Sequence, residues 1–160
     1  MTDGETPAAD PVAEPTTGFG DLTCFALYAA SRAVTAVYRP LLDRIGLTYP
    51  QYLVMLWLWR NGDSGVKEIS NALQLDYGTL TPLLKRLETL GHIRRQRRLD
   101  DERAVQVTLT ETGAALRSRA TGVPDEITRA LGITADQTAT LQGLLRDVCT
   151  NATQHARAGR

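Results

Sequence analysis

One stretch of the sequence constrains the fold of this chain most strongly. It contains five leucines at helical spacing, then a glycine, then an arginine-rich segment with the alternating pattern of a strand. The leucines are Leu80, Leu83, Leu84, Leu87 and Leu90. Their spacing places them on one side of a helix, where they form an apolar stripe that must face a core. Gly91 ends that helix, and alternation in residues 92–98 and 104–109 predicts two strands joined by a polar turn. The opposite side of the helix is therefore free to carry polar and basic side chains.

Helical patterns flank this helix and hairpin on both sides. Residues 22–44 are rich in alanine and leucine and predict a long first helix, which Pro40 should kink or interrupt. Further helices are predicted at 50–61, at 66–73, from Thr110 onward and from Thr134 onward. For the leucine helix, Asp76 and Thr79 are alternative N-caps, and the sequence leaves that boundary open. The predicted fold class is mainly α with a small β-hairpin.

Basic side chains concentrate in the leucine helix and the hairpin after it. They are Lys85, Arg86, Arg94, Arg95, Arg97, Arg98 and Arg103. A short helix, a turn, a second helix with a polar and basic face, and a charged hairpin together predict a winged helix-turn-helix. Such a domain places its second helix in the major groove of double-stranded DNA. The alternative is a basic face that is merely solvated, as charge runs often are.

Candidate DNA contacts follow from the chemistry of these exposed side chains. They are Thr79, Thr81, Lys85 and Arg86 on the helix, and Asp101 and Arg103 on the hairpin. The threonine hydroxyls can meet base edges or phosphates, and the two cations on the helix neutralise phosphates. Arg103 can reach into a narrow minor groove, and Asp101 can orient it.

The first eighteen residues differ in composition from the rest of the chain. Because they are rich in Thr, Pro, Ala and Gly and carry only acidic charges, residues 1–18 are predicted to form a disordered acidic tail. Residues 19–156 are predicted to form a single domain, with the winged helix-turn-helix at about 50–110 and dimerisation helices at about 21–45 and 112–156. The 18 basic and 18 acidic residues cancel, but removal of the tail leaves the folded part positive.

A lone cysteine lies near the predicted start of the first helix. With Asp21 as N-cap, Cys24 falls in the first turn, where the positive end of the helix dipole favours the reactive thiolate. The alternative is a buried cysteine that acts as a small apolar side chain. Tyr28 lies one turn later on the same face, whereas Tyr38 lies fourteen residues from Cys24, about 21 Å along an unbroken helix. Tyr38 can therefore meet Cys24 only if the chain reverses or if an antiparallel first helix of a partner subunit supplies it.

Other classes of site find no support in the sequence. The two cysteines and two histidines, Cys24, Cys149, His92 and His155, lack the spacing of zinc ligands, so neither a metal nor a cofactor is predicted. No apolar run reaches the length of a membrane span, and the first residues lack the pattern of a signal peptide. A cytoplasmic protein without a membrane partner is predicted.

Five stretches of the chain resemble the MarR family of regulators, and specifically its organic-hydroperoxide-sensing branch, the OhrR repressors. They are CFALYAAS (24–31), YRPLL (38–42), LTYPQYLVMLWLW (47–59), TLTPLLKRLE (79–88), and DDER with the following VTLTETG (100–113). Together they represent nearly all of residues 22–116. A general MarR protein would share the hairpin but not the cysteine with its tyrosines.

The resemblance implies a homodimeric repressor, not an enzyme, that binds a pseudo-palindromic DNA operator. An organic hydroperoxide would oxidise Cys24 to a sulfenic acid and so release the DNA. The tyrosines that hydrogen-bond the reactive thiol in the family correspond by motif to Tyr38 and Tyr49, with Tyr28 nearby.

The second cysteine departs from one version of the family pattern. Members with a resolving cysteine carry it in the segment that here reads ITRALGITADQ and contains none. Cys149 lies later, where helix packing is expected, so the pattern favours capping of Cys24 by a small cellular thiol. Two rival functions are a MarR-type regulator of an aromatic effector, with Cys24 in the core, and a thiol peroxidase, for which the chain lacks a CxxC pair.

Overall fold

The computed structural model of the chain describes residues 22–97 and 105–159. Some sequence predictions lie outside these ranges. They concern the acidic tail 1–18, Asp21, and the polar turn of the hairpin with Arg98, Asp101 and Arg103. The chain divides after Ala33 into two units. The first unit contributes the described residues up to Ala33, and the second contributes all the others.

The described residues form seven helices and three strands. The helices are α1 (Thr23–Asp43), α2 (Tyr49–Asn61), α3 (Val66–Leu73), α4 (Tyr77–Thr89), α5 (Glu111–Arg119), α6 (Val123–Leu131) and α7 (Ala135–Ala158). The strands are β1 (Ser64–Gly65), β2 (Ile93–Arg97) and β3 (Val105–Leu109).

The described part of the first unit is the beginning of α1. The carbonyl of Leu22 accepts the first helical hydrogen bond from the backbone N–H of Ala26, at 3.0 Å. Cys24 therefore lies in the first turn, as the sequence predicts. The apolar side chains of Leu22 and Phe25 are exposed.

α3 has the predicted bounds, and α2 begins at Tyr49, one residue before its predicted start. Pro50 lies in the first turn of α2, where its missing N–H leaves no bond unmade. The backbone N–H of Thr48 donates to Oε1 of Gln51 at 2.9 Å, which closes this end of the helix. At the other end, Gly62 has a φ of 74°, a conformation that favours glycine.

Asp76 caps α4, which decides the boundary that the sequence leaves open. Its carboxylate accepts 2.9 Å hydrogen bonds from the backbone N–H and the hydroxyl of Thr79. Pro82 consequently lies inside the helix, at a cost of about 3 kcal/mol. Three leucines of α4 are at most 1% exposed. Since burial of each contributes about 2 kcal/mol, their packing outweighs the cost of the proline.

A three-stranded antiparallel sheet of order β1-β3-β2 contains the predicted hairpin. Ile93 pairs with Leu109, so β2 and β3 lie within the two predicted strands. The third strand, β1, pairs through Ser64 with Val107. The sequence does not predict β1, because two residues are too few to show a strand periodicity.

Three helices, not the predicted two, follow the hairpin within the described residues. The helix predicted from Thr110 is broken at Gly122, and Pro124 lies in the first turn of the new helix α6, a position that suits proline. α7 begins as predicted. The Thr134 N–H donates to Oε1 of Gln137 at 2.8 Å, and the Gln137 N–H donates to the Thr134 hydroxyl oxygen at 3.2 Å.

The core lies in the second unit and is built mainly from α2, α4 and the sheet. Its large, fully buried side chains are Leu42, Met55, Leu58, Ile69, Leu80, Leu84, Leu87, Ile93, Val54 and Val107. The predicted stripe of α4 extends one residue too far, since Leu90 is 37% exposed. The helix ends there and the chain turns towards β2. Among the described helices, none combines the length and the apolar character needed to cross a bilayer.

Gly113 in α5 joins three parts of the second unit. Its carbonyl accepts a 2.9 Å hydrogen bond from the indole N–H of Trp59, and its N–H donates to the Thr110 hydroxyl oxygen at 3.0 Å. Thr110 also closes the hairpin base, since its hydroxyl donates to the Gly91 carbonyl at 2.6 Å and its N–H donates to the His92 carbonyl at 3.1 Å. A Cβ on residue 113 would collide with that His92 carbonyl oxygen. The close approach of these two backbones therefore requires glycine.

Gly113→Ala should lower the free energy of unfolding by about 2 to 3 kcal/mol, because the added methyl group overpacks a contact between two backbone segments. Urea unfolding followed by circular dichroism measures the loss. Gly122→Ala is the matched control: its Cβ would meet no atom within 4 Å, and its stability should stay within about 1 kcal/mol of wild type. If Gly113→Ala has the stability of wild type, the close contact between α5 and the hairpin base contributes nothing to the free energy of unfolding.

Candidate functional site

α3, a short turn and α4 form a helix-turn-helix. Gln74 ends α3 with a left-handed backbone, at a φ of 53°. The Ser70 hydroxyl donates to the Leu75 carbonyl at 2.7 Å, and the Leu75 N–H donates to the Ser70 carbonyl at 3.0 Å. These two hydrogen bonds fix the turn and therefore the direction of α4 relative to α3.

The predicted DNA contacts on α4 share its exposed face. They are Thr79, Thr81, Lys85 and Arg86. Because the leucines bury the other side of the helix, this face presents two cations and two hydroxyl groups to the exterior. The Thr79 hydroxyl uses its hydrogen on Asp76, so towards DNA it can only accept a hydrogen bond. Thr81, in contrast, lies beyond the capping contacts.

Arginines of β2 extend the basic surface onto the hairpin. Arg94 and Arg97 are exposed. Arg95 is paired with Glu88 of α4 at 2.7 Å. The hydrogen bonds from Arg95 lower the pKa of Glu88, so this carboxylate stays charged at neutral pH. The predicted contacts at the hairpin tip lie outside the described residues.

The predicted thiol site includes Cys24 and Tyr28 of the first unit. Cys24 is a free and exposed cysteine in the first turn of α1. Tyr28 is also exposed, and its hydroxyl accepts a 2.9 Å hydrogen bond from Nη1 of Arg32. The same guanidinium lies 5.6 Å from the centroid of the tyrosine ring. In the single chain, Cys24 is thus not enclosed in a core as a small apolar side chain.

Three tyrosines form a cluster in the second unit. The ring centroids of Tyr38 and Tyr49, both predicted for the site, lie 4.5 Å apart, and those of Tyr38 and Tyr52 lie 6.0 Å apart. Burial raises the pKa of Tyr38 to about 12, with smaller effects from Tyr49 and Tyr52. Burial also raises the pKa of Tyr49 and that of Tyr52. All three phenols are therefore protonated at neutral pH and can donate hydrogen bonds.

The sequence does not identify Tyr52 as a member of this cluster. Tyr52 lies three residues after Tyr49 on α2, is 2% exposed, and contacts Trp59 edge to face at 6.2 Å between centroids. Its spacing from Tyr49 is the only sequence signal, and that spacing is equally typical of a core position.

Cys149 is not buried in the single chain, and the described residues contain no group suited to a metal ion. Cys149 is a free and exposed cysteine on α7, so the expected packing within a helix interface is not met in the single chain. Within the described ranges, no group of three or more His, Cys, Asp or Glu side chains is placed to hold a metal ion.

Comparison with known proteins identifies the family. The family model for the transcriptional regulator SarA/Rot matches residues 36–119. The chain is 51% identical to the organic hydroperoxide resistance transcriptional regulator of Bacillus subtilis (strain 168) over 104 residues, which are 65% of this chain and 71% of that relative. The chain belongs to the winged-helix transcriptional regulators of the MarR and SarA/Rot type. The resemblance found in the sequence is confirmed.

Solved structures share the fold of this regulator. Reduced AbfR of Staphylococcus epidermidis bound to DNA is similar with a TM-score of 0.72 and 31% identity, over 85% of this chain and 95% of AbfR. A MarR variant of E. coli in complex with operator DNA gives a TM-score of 0.72 and 27% identity, over 81% of this chain and 96% of MarR. AbfR is also known in an overoxidized form bound to DNA and in a form with a disulfide.

Family membership decides three predictions. The regulator is a DNA-binding protein whose fold is mainly helical with a small sheet, as the sequence predicts. Its relatives are transcriptional regulators and not enzymes, so the thiol-peroxidase alternative is wrong.

Lys85→Ala should weaken binding to duplex DNA and reduce the slope of log affinity against log salt concentration by about one, because we expect this lysine to neutralise one phosphate. Fluorescence anisotropy over a salt series measures the slope, with an operator duplex that the reduced regulator selects from a random pool. Arg117→Ala, on α5 and outside the basic face, is the matched control and should keep the wild-type slope. An unchanged slope for Lys85→Ala would exclude this lysine from the DNA contacts.

Tyr38→Phe should make the regulator more resistant to alkaline unfolding. The pKa of Tyr38 is raised from 10.0 to about 12 in the folded state, so the unfolded chain loses this proton first. The corresponding stability is complete below pH 10 and is lost as the pH rises towards 12. Phenylalanine cannot ionise and should lose less stability across this window, as urea midpoints at successive pH values will show. The control is Tyr77→Phe, at an exposed position outside the cluster, which should lose as much stability over this pH range as wild type. If Tyr38→Phe also loses as much as wild type, the pH dependence does not come from Tyr38.

Proposed function

We propose that this regulator is a homodimeric repressor that senses organic hydroperoxides through oxidation of Cys24 and then releases its operator. The observation that carries the proposal is the exposed free thiol of Cys24 in the first turn of α1. The name of the 51% identical relative, an organic hydroperoxide resistance regulator, supports this class of signal. Because the partner is DNA, we expect the protein to act in the cytoplasm.

Exposed apolar side chains support the homodimer. α7 has no buried residue in the single chain, and Leu141, Leu144 and Val148 are exposed on one of its faces. Leu22 and Phe25 at the start of α1 are exposed as well. Large apolar side chains exposed on a helix mark an interface. We propose that a second copy of this chain covers it, since all five residues belong to the predicted dimerisation helices.

The proposed thiol pocket needs both subunits. The helical spacing between Cys24 and Tyr38 excludes a contact along one straight helix. We therefore assign Tyr38 of the partner subunit and Tyr49 of the partner subunit as the hydrogen-bond donors to Cys24. The neutral state of the tyrosine cluster supports this role, because a protonated phenol can donate to a thiolate and stabilise it.

The proposed chemistry is an oxidation of sulfur followed by a condensation. The Cys24 thiolate attacks a peroxide oxygen, the O–O bond breaks, and the alkoxide takes up a proton and leaves as an alcohol. The sulfur thereby becomes a sulfenic acid. A small cellular thiol then displaces the hydroxyl group as water and forms a mixed disulfide. The absence of cysteine from the segment ITRALGITADQ supports this one-cysteine route.

Release of DNA follows from the geometry of a dimer. The two recognition helices must match half-sites about 34 Å apart, which is one turn of DNA. An oxygen added to a sulfur between the subunits displaces the packed phenols, and the subunits shift. The helices then no longer match the two half-sites, and affinity for the operator falls.

Cys24→Ser should bind the operator duplex as wild type does but retain it after a stoichiometric amount of cumene hydroperoxide, because serine cannot form a sulfenic acid. Fluorescence anisotropy follows the release. Cys149→Ser is the matched control and should release the duplex like wild type. When a small thiol is present, mass spectrometry should find one mixed disulfide, located on Cys24.

Three results would count against parts of this proposal. Release of DNA from Cys24→Ser by peroxide would reject Cys24 as the sensor. Release by aromatic acids but not by peroxide would favour a regulator of an aromatic effector. A peroxide-induced covalent dimer that disappears in Cys149→Ala would replace the one-cysteine route with a disulfide between subunits.

A further inference from the structure

Glu88, near the end of α4, binds the hairpin through both of its carboxylate oxygens. Oε2 accepts hydrogen bonds from Nε and Nη2 of Arg95, at 2.9 and 2.7 Å. Oε1 accepts a third bond from the backbone N–H of Arg95, at 3.1 Å. One side chain of the recognition helix thus holds both the side chain and the backbone of one residue in β2.

This contact lies further along β2 than the hydrogen bonds that Thr110 makes at the hairpin base. Thr110 hydrogen-bonds Gly91 and His92 at the hairpin base. Glu88 hydrogen-bonds Arg95, the third residue of β2. The guanidinium fork binds one carboxylate oxygen and the backbone N–H binds the other, so three hydrogen bonds define the geometry, which distinguishes this contact from an ordinary surface ion pair. The orientation of β2 relative to α4 is therefore defined at two points.

The pairing with Glu88 also makes Arg95 different from the other arginines of β2. Arg94 and Arg97 are exposed cations, whereas the charge of Arg95 is matched by Glu88 and two of its donors are occupied. The pKa of Glu88 is lowered by Arg95, so the carboxylate keeps its charge at neutral pH. Glu88 is thus an acidic side chain at the border of a basic, DNA-facing surface.

We propose that Glu88 is a positioning residue for DNA recognition: it holds the hairpin against α4 so that both elements reach the same operator together. A recognition helix in the major groove and a hairpin beside it can contact one operator together only if their relative orientation is fixed. Glu88 itself touches no nucleotide in this proposal and acts through Arg95.

The direction in which DNA affinity changes when Glu88 is neutralised distinguishes a positioning role from simple charge repulsion. If Glu88 only repels phosphates, its neutralisation strengthens binding to every duplex, and the freed Arg95 adds a cation. If Glu88 positions the hairpin, its neutralisation weakens binding to the operator while affinity for unrelated DNA stays the same or rises.

Glu88→Gln, which keeps the shape and removes the charge, is the first test variant. It should bind the selected operator duplex roughly tenfold more weakly, the effect expected for a charge-assisted hydrogen bond that is partly exposed. Affinity for a scrambled duplex of equal length should not fall. Hydroxyl-radical footprinting should show loss of protection at the operator flanks, where the hairpin lies, with protection by α4 retained. Glu111→Gln removes an acidic charge on α5 and should change none of these readouts.

Arg95→Lys keeps the positive charge but cannot form the fork, so it tests the same contact if Glu88→Gln folds poorly. It should show the same selective loss at the operator flanks, and the double variant should lose no more than either single variant, because one interaction is removed in all three. An operator affinity of Glu88→Gln equal to or above wild type would overturn the proposal. An equal loss on operator and scrambled duplexes, or an unchanged footprint in both single variants, would overturn it as well.

Discussion

Burial of the leucines of α4 against α2 and the sheet decides which face of that helix the regulator presents. Leu80, Leu84 and Leu87 are at most 1% exposed, and burial of each contributes on the order of 2 kcal/mol. Because the helix period then turns Lys85 and Arg86 outward, no separate contact is needed to display them. The stability of the domain and the composition of the surface that we predict to face DNA therefore depend on the same packing, which also tolerates a proline within the helix.

The hairpin keeps its place because polar groups join it to the helices at defined points. At its base, Thr110 caps α5 and binds the turn after α4, and Gly113 allows the two backbones to approach where any side chain would collide. Further along, Glu88 holds Arg95. These contacts involve few residues, but they relate the recognition helix, the sheet and the helices that follow. DNA recognition by this fold requires that relation, because the two reading elements belong to different secondary structures.

The thiol chemistry that we propose depends on protonation states that burial controls. A phenolate would repel a thiolate, whereas a neutral phenol can donate a hydrogen bond to it. Burial raises the pKa of Tyr38, Tyr49 and Tyr52, so the cluster stays in the donating form. Cys24, in contrast, is exposed, as a group that must meet a peroxide should be. A subunit interface is the arrangement that would bring these two environments together.

The sequence by itself determined the helices and strands that carry a local signal, from the cap at Thr134 and the period of α4 to the alternation of the hairpin. It also determined the exposed face of α4, because an apolar stripe defines its opposite side. Strand β1 and the break before α6 escaped prediction, since each depends on few residues. Only the tertiary structure decided that Tyr52 joins Tyr38 and that Glu88 holds Arg95. Contacts between elements depend on how those elements pack against each other, and a periodicity read along one element does not specify its neighbour.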